Sequence, residues 1–325
     1  MHTIAIEEHF LSDGFKEVIK REARHEGRWA ASLTAERLSK LCDLGPARVE
    51  DMDAWGIDLQ IISHLQLDLA SLPVSDAVSL VRAANDQLAA AVKAHPDRYA
   101  GFALLPMTDP QTAVDELERA VRSLGFKGAM INGTTGGLFL DHPSFLPILE
   151  RAAALDVPIY IHPAEPPAAV REAYYSGFDP AVNNSLATSG WGWHSEVGIH
   201  ALRLILSGVF DRLPTLQIII GHMGEMIPFM LTRINNALAP TAKNLQRRVP
   251  EYFLQNFYIT ISGFFADPLL LLTLQTVGAD RIIFAVDYPF SKNEQGRIFL
   301  DRASISQADK EKISHLNAER LLKLT

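Results

Sequence analysis

A chain of 325 residues in which 48% are hydrophobic and 21% charged has the balance of an ordinary globular protein, which excludes disorder over much of its length. With 38 acidic against 30 basic residues, a formal charge of -8 and no basic run beyond Gln246-Arg247-Arg248, it offers no patch to neutralise phosphates, so no nucleic-acid partner is expected. The single cysteine, Cys42, excludes an intrachain disulfide and fits a reducing compartment.

Met1–Glu8 has no basic region followed by a long apolar stretch, and no apolar run approaches the ~20 residues of a membrane span. A cytoplasmic chain with no membrane partner is expected. In chain order, short apolar and β-branched runs predict strands at Thr3–Ile6, Leu59–Ser63, Tyr99–Leu105, Gly128–Ile131, Pro158–Ile161, Leu216–Ile220, Phe257–Ser262 and Arg281–Val286. Between them, apolar residues at three- and four-residue spacing predict helices at Asp76–Ala94, Gln111–Leu124, Pro143–Leu155, Glu196–Leu206 and Leu269–Val277. This alternation predicts an α/β chain folded as a (β/α)8 TIM barrel, with a doubly wound open sheet as the rival. Two segments are too long for simple connections, about 11–56, with a helical pattern around Leu33–Leu44, and about 165–192. They read as insertions over the carboxyl-terminal face of a single domain spanning 1–325.

The chemistry-bearing residues fall at strand ends. Glu7-Glu8-His9 follows the first predicted strand, and strand alternation turns Glu7 and His9 to one face and Glu8 to the other. A single Glu-x-His is a weak signal. However, Ile159-Tyr160-Ile161-His162 ends another strand in histidine, Ile218-Ile219-Ile220-Gly221-His222 a third, and Ile283-Phe284-Ala285-Val286-Asp287 the last. Such residues at the carboxyl ends of four barrel strands are hard to explain as packing and predict a metal site. Of the other histidines, His25, His95, His142 and His315 read as surface residues, His2 precedes the first strand, and His64 follows a strand without an evident partner. His194 and His200 read as packing or supporting groups, with Trp191 and Trp193 beside them as candidate pocket walls.

This strand-end set resembles the amidohydrolase superfamily when taken with Gly221-His222-Met223-Gly224-Glu225, Asp287-Tyr288-Pro289-Phe290, Asp51-Met52-Asp53, Pro96-Asp97-Arg98 and the final Asn317-Ala318-Glu319-Arg320. Within it the chain is similar, over essentially its whole length, to the metal-dependent non-oxidative decarboxylases of hydroxylated benzoates, the group of γ-resorcylate and 5-carboxyvanillate decarboxylases. The resemblance implies Glu7, His9, His162 and Asp287 as ligands of one divalent ion, Mn(II) or Zn(II), with no organic cofactor. It further implies Asp287 as the acid that protonates the carboxyl-bearing ring carbon before CO2 leaves, and His222 as a non-ligand partner held by Glu225. Asn132 and Phe290 match pocket positions, with capping and core packing as their plain alternatives. Arg233 would reach a small aromatic carboxylic acid bound in a neighbouring subunit of a homodimer or homotetramer, and its plain alternative is an exposed helical arginine. The short segment 133–139 follows the carboxyvanillate branch and Glu7-x-His9 the resorcylate branch, so the acid itself stays open.

Two rival classes remain at this point. A hydrolase of the same superfamily would use the ion to activate water against an ester, lactone or amide; a lysine or histidine able to bridge a second metal is what Ile131-Asn132 lacks. A non-catalytic binding module would not need an acid–base pair beside the ligands. No phosphate loop, nucleophile elbow or dinucleotide fingerprint occurs.

Overall fold

Short apolar runs alternating with amphipathic segments give eight parallel strands among the described residues. The computed structural model describes residues 1–22, 30, 33–65, 69 and 72–324. The strands are β1 (Ile4–Phe10), β2 (Leu59–His64), β3 (Tyr99–Gly101), β4 (Ala129–Asn132), β5 (Ile159–His162), β6 (Ile218–Ile220), β7 (Phe257–Thr260) and β8 (Ile282–Ile283). The first helices are α1 (Lys16–Glu22), α2 (Ala35–Cys42), α3 (Pro46–Trp55), α4 (Val74–Ala94), α5 (Pro110–Leu124), α6 (Leu146–Leu155), α7 (Ala168–Tyr174) and α8 (Pro180–Ala187). They are followed by α9 (Gly192–Leu206), α10 (Val209–Arg212), α11 (Ile227–Leu238), α12 (Val249–Asn256), α13 (Asp267–Val277), α14 (Asn293–Arg302), α15 (Gln307–Glu311) and α16 (Asn317–Leu322). Helix α5 shows how the sequence sets these limits. The Asp109 side chain accepts from Thr112 N, Pro110 opens the first turn, and Gly125 stops the helix at φ 75°, where a side chain would be strained.

Strands β1 to β3 pair in order, as do β4 to β8, and two parallel bridges join the sets, Ala103 to Ala129 and Glu8 to Tyr288. The ring therefore closes as a (β/α)8 barrel, and the open-sheet rival is rejected. Alternate residues fill its interior, among them Ile4, Ile6, Ile61, Phe102, Tyr160 and Ile219, with Ala318 and Leu322 of α16 packed against them. Their neighbours Ala5, Ile62, Ile159, Ile161, Ile218 and Ile220 join the layer shared with the helices.

Several boundaries differ from the sequence reading. Strand β1 runs on through Phe10, so Glu7-Glu8-His9 lies within it and not after it. Its register against β2 shifts between Ala5 and Glu8, where three steps along β1 match two along β2. This bulge matters for the site. Plain alternation from Ile4 and Ile6 would turn Glu7 and His9 toward the helices, whereas the extra residue turns both inward and Glu8 outward. The β3 and β8 ladders are shorter than predicted, because backbone pairing stops before the apolar runs do. Segment 11–56 carries α1 to α3, with Phe15, Val18 and Leu41 in a small core against Val81 and Ala84 of α4; segment 165–192 carries α7 and α8. His25 lies outside the described residues. No helix among the described residues is long and apolar enough to cross a membrane.

The seam between β1 and the chain after β8 is held by more than backbone pairing. Asp287 N donates to Glu7 O (3.0 Å), and His9 N donates to Tyr288 O (2.7 Å). The buried Glu8 carboxyl, its pKa raised by burial to about 8, accepts from Val286 N (2.8 Å) and Tyr288 N (3.0 Å), the amides on either side of Asp287. Arg48, fully buried, donates from Nη1 to His9 O at 2.8 Å and stacks its guanidinium 4.8 Å from the Tyr288 ring. Asp287 itself sits at φ 70°, a left-handed conformation that these bonds sustain. Glu8→Gln keeps the side-chain shape but turns one acceptor into an N–H facing an amide. It is expected to lower unfolding free energy by about 1–3 kcal/mol in urea titrations; an unchanged midpoint would show that the clamp contributes nothing.

Candidate metal centre and acid–base pair

Four side chains from three places in the chain converge at the carboxyl end of the barrel: Glu7 and His9 from β1, His162 from the end of β5, and Asp287 after β8. Each offers one ligand atom, and these atoms all lie within 4.8 Å of one another. His9 Nε2 is 3.2 Å from Asp287 Oδ1, and His162 Nε2 is 3.5 Å from Glu7 Oε1. Glu7 Oε1, His9 Nε2 and Asp287 Oδ1 are buried with no hydrogen-bond partner among the described residues. Buried polar atoms are nearly always bonded, so three converging orphans are the mark of a group that binds between them. Two carboxylates and two imidazoles suit a divalent ion. The residues therefore fit one metal ion.

Each ligand is oriented from behind. Glu7 Oε2 accepts from Thr260 Oγ1 (3.0 Å) and from the Tyr160 hydroxyl, leaving Oε1 for the centre. His162 Nδ1 lies 2.8 Å from Pro163 O, an atom that only accepts, so Nδ1 carries the proton and Nε2 presents a lone pair. His9 Nδ1 is 3.2 Å from Ser63 Oγ, which itself reaches Glu8 O at 3.5 Å, and the same tautomer follows. Burial lowers the His9 pKa to about 4 and that of His162 to about 3, so both rings are neutral, as metal ligation needs. The two carboxyls divide. Burial pushes Glu7 up, but the charged His222 above all, with His162, His9 and a hydrogen bond from Ser262 beside it, holds Glu7 below its ordinary value. Burial and the facing Glu7 push Asp287 well above the usual carboxylate range.

His222 sits beside this cluster with Nε2 3.7 Å from Glu7 Oε1, and its Nδ1 is 2.7 Å from Glu225 Oε1. The pair forms, but not through helical spacing. His222, Met223, Gly224, Glu225 and Met226 all have positive φ, from 51° to 84°, so a left-handed turn folds the carboxylate back onto the ring. Such a run of strained residues is typical of functional sites. Burial opposes the His222 charge, but Glu225 and Glu7 outweigh it and raise its pKa to about 10. A cavity of about 190 Å3 opens against this pair, walled by Trp191, His194, His222, Met226 and Phe264.

The remaining predicted residues divide. Asn132 ends β4 opposite His162 in the ladder, with its amide 3.3 Å from His162 Nδ1. Phe290 places its ring 5.7 Å from that of His9 and lies 6.0 Å under the Arg37 guanidinium. Arg233 is exposed on α11 and is not brought to the cluster within this chain. His64, read as lacking a partner, accepts from Ser12 N at 3.0 Å and pairs with Leu65 O, so it is a buried structural residue. Tyr160, Thr260 and Ser63 are absent from the sequence reading, which takes His194 as a packing or supporting group. Tyr160 was accessible from pattern, since it precedes Ile161-His162 on the inward face, whereas the others depend on which strands become neighbours.

Comparison with known proteins agrees with this geometry. Residues 45–324 match the amidohydrolase family model. A γ-resorcylate decarboxylase of a Polaromonas species is 39% identical over 99% of this chain and 98% of its own length. A dihydroxybenzoic acid decarboxylase structure from a Polaromonas species, with manganese and the inhibitor 2-nitroresorcinol, superposes with a TM-score of 0.89 at 36% identity, covering 99% of this chain and 97% of that one. A 5-carboxyvanillate decarboxylase of Novosphingobium aromaticivorans, with manganese and a nitrobenzoic acid, gives 0.91 at 33% identity over 99% and 96%. The chain belongs to the amidohydrolase family, alongside relatives named as decarboxylases of hydroxylated benzoates.

Proposed function

We propose that this protein is a metal-dependent, non-oxidative decarboxylase of an ortho-hydroxylated aromatic carboxylic acid of the γ-resorcylate type. The observation that carries the reading is the set of orphaned ligand atoms on Glu7, His9 and Asp287 standing beside the His222–Glu225 pair. The decarboxylase relatives favour it over the hydrolase alternative. Glu7, His9, His162 and Asp287 would hold one divalent ion, Mn(II) as in the structural relatives or Zn(II). When bound, the ion supplies positive charge that holds and polarises the substrate's carboxylate and ortho oxygen.

The protein's own groups then account for the proton. Asp287 Oδ1 faces the ligand cluster, which leaves Oδ2 as the atom to take up a proton, and burial beside Glu7 raises its affinity for one. His222 is already protonated, so the proton released by the substrate hydroxyl goes to the carboxylate form of Asp287 and not to the imidazole. Asp287 delivers it to the carboxyl-bearing carbon, the bond to CO2 breaks, and its electron pair restores the aromatic ring. Direct loss of CO2 would leave an aryl carbanion, so protonation first is the lower route. His222 aims Nε2 at the same space as a fixed cation, and Asn132 and Phe290 wall it.

We read the chain as one domain over 1–325, with 11–56 and 165–192 as lids on the active face, and the lone Cys42 as fitting a cytoplasmic location. We also read it as a homodimer or homotetramer in which Arg233 meets the substrate anion bound by a neighbouring subunit. Helix α11 supports this, since it starts directly after the His222–Met226 turn and exposes Phe229 and Met230 beside Arg233.

Asp287→Asn is expected to keep part of its bound metal while CO2 release from o-hydroxybenzoates disappears; turnover like wild type would defeat the acid assignment. Chelation should remove activity together with about one ion per chain by elemental analysis, and activity persisting in metal-free protein would overturn the reading. Arg233→Ala should raise KM by about 10- to 100-fold, the value of a charge-assisted bond. Sedimentation settles its setting, because a strictly monomeric active enzyme contradicts the shared site.

A further inference from the structure

Glu225 commits both of its oxygens to histidines. Oε1 lies 2.7 Å from His222 Nδ1, and Oε2 lies 2.7 Å from Nδ1 of a second ring, His194. The other nitrogen of His194 is 3.1 Å from Ser189 O, a carbonyl that only accepts, so Nε2 carries a proton. A second proton must then lie between His194 Nδ1 and Glu225 Oε2, since otherwise two lone pairs would face each other at 2.7 Å. The three side chains are all buried. The two rings meet edge to face at 4.9 Å, and Phe264 closes on both, at 5.1 and 5.6 Å.

We propose that His194 is a positioning residue for His222: by binding Oε2 it fixes the plane of the Glu225 carboxylate, so that Oε1 sets the orientation of the His222 ring and the aim of its Nε2. A carboxylate tied at one oxygen can turn about its terminal torsion, which is broad and soft. Tied at both, it cannot. The link continues to the pocket wall, because Ser189 belongs to the loop that carries Gly190 and Trp191 along the cavity. His194 is not among the proposed ligands; it walls the cavity beside His222 and bonds to His222's partner Glu225. Its effect on turnover rests on the decarboxylase reading; its effect on His222 does not.

Three substitutions separate positioning from packing. Asn places an N–H where His194 Nδ1 stands, Gln places one only near Nε2, and Leu supplies neither. In His194→Gln and His194→Leu, kcat is expected to fall about 10- to 100-fold, the usual effect of losing such a supporting partner, with KM and metal content nearly unchanged. His194→Asn should recover most of it. A second readout needs no substrate. In 15N-histidine-labelled protein loaded with diamagnetic Zn(II), the downfield Nδ1–H resonance of His222 should shift in the Gln and Leu variants and return in Asn. Full kcat in His194→Leu, an Asn variant no better than Leu, or a His222 resonance that stays put would each overturn the proposal. If Leu fails to fold, Gln carries the same comparison. If the wild type releases no CO2 from any hydroxybenzoate, the decarboxylase reading falls while the resonance still decides the positioning claim.

Discussion

Asp287 sits in a left-handed backbone conformation because β1 holds it there, and the rest of the site follows from that contact. Five hydrogen bonds cross the seam, three between backbones and two from the amides flanking Asp287 to Glu8. A non-glycine residue at φ 70° costs about 1–3 kcal/mol, and bonds worth about 1 kcal/mol each suffice to offset it. The same bonds close the barrel. Ring closure and assembly of Glu7, His9 and Asp287 into one cluster are therefore a single event, and Glu8, which faces away from the cluster, is what couples them. Arg48 reinforces the seam from behind by gripping the His9 carbonyl and the Tyr288 ring.

Within that frame, two carboxyls in nearly the same place acquire opposite characters. Glu7 has three imidazoles around it and hydroxyls of Tyr160 and Thr260 on its rear oxygen, so its anion is favoured. Asp287 faces Glu7 and has little to offset its burial, so its acid form is favoured. Environments that drive neighbouring pKa values apart are how one site assigns an anchor and a proton donor. The histidines divide similarly: burial keeps His9 and His162 neutral, whereas Glu225 keeps His222 charged. A ligand set and an acid–base set are thus drawn from the same residue types by their neighbours alone.

The barrel and the cluster members were legible because both rest on local pattern. Isoleucine-rich runs ending in His162 and His222, and in Asp287, mark strands and their carboxyl ends without any knowledge of pairing. What sequence pattern could not supply was register. The bulge between Ala5 and Glu8 decides which face Glu7 and His9 present, and it depends on β2 lying alongside. Three polar residues in a row also made β1 look as though it ended at Ile6. The His222–Glu225 pair was anticipated from a three-residue spacing, yet a left-handed turn makes it, because Gly221 and Gly224 stand in tight quarters near Tyr160 and Pro228 that a helix would not fit. Sequence pattern marks His194 only as a packing or supporting group and Ser63 not at all, for a simpler reason: their partners come from 31 and 54 residues away.

An anionic aromatic acid must approach a chain of formal charge -8, and the distances decide whether that matters. A unit charge ~20 Å away through water contributes only about 0.2 kcal/mol, and salt screens even that beyond a Debye length of ~8 Å. Groups at the mouth act over a few ångströms in a drier setting. Arg37 lies over Phe290, which in turn packs against His9, and His222 stands charged beside Glu7. Arg37 belongs to α2, in the segment inserted between β1 and β2, so the excursion that lengthens the first connection also brings a cation to the rim. The field a substrate meets is set by these few side chains and by the charge of a divalent ion, while the acidic remainder of the surface acts on solubility.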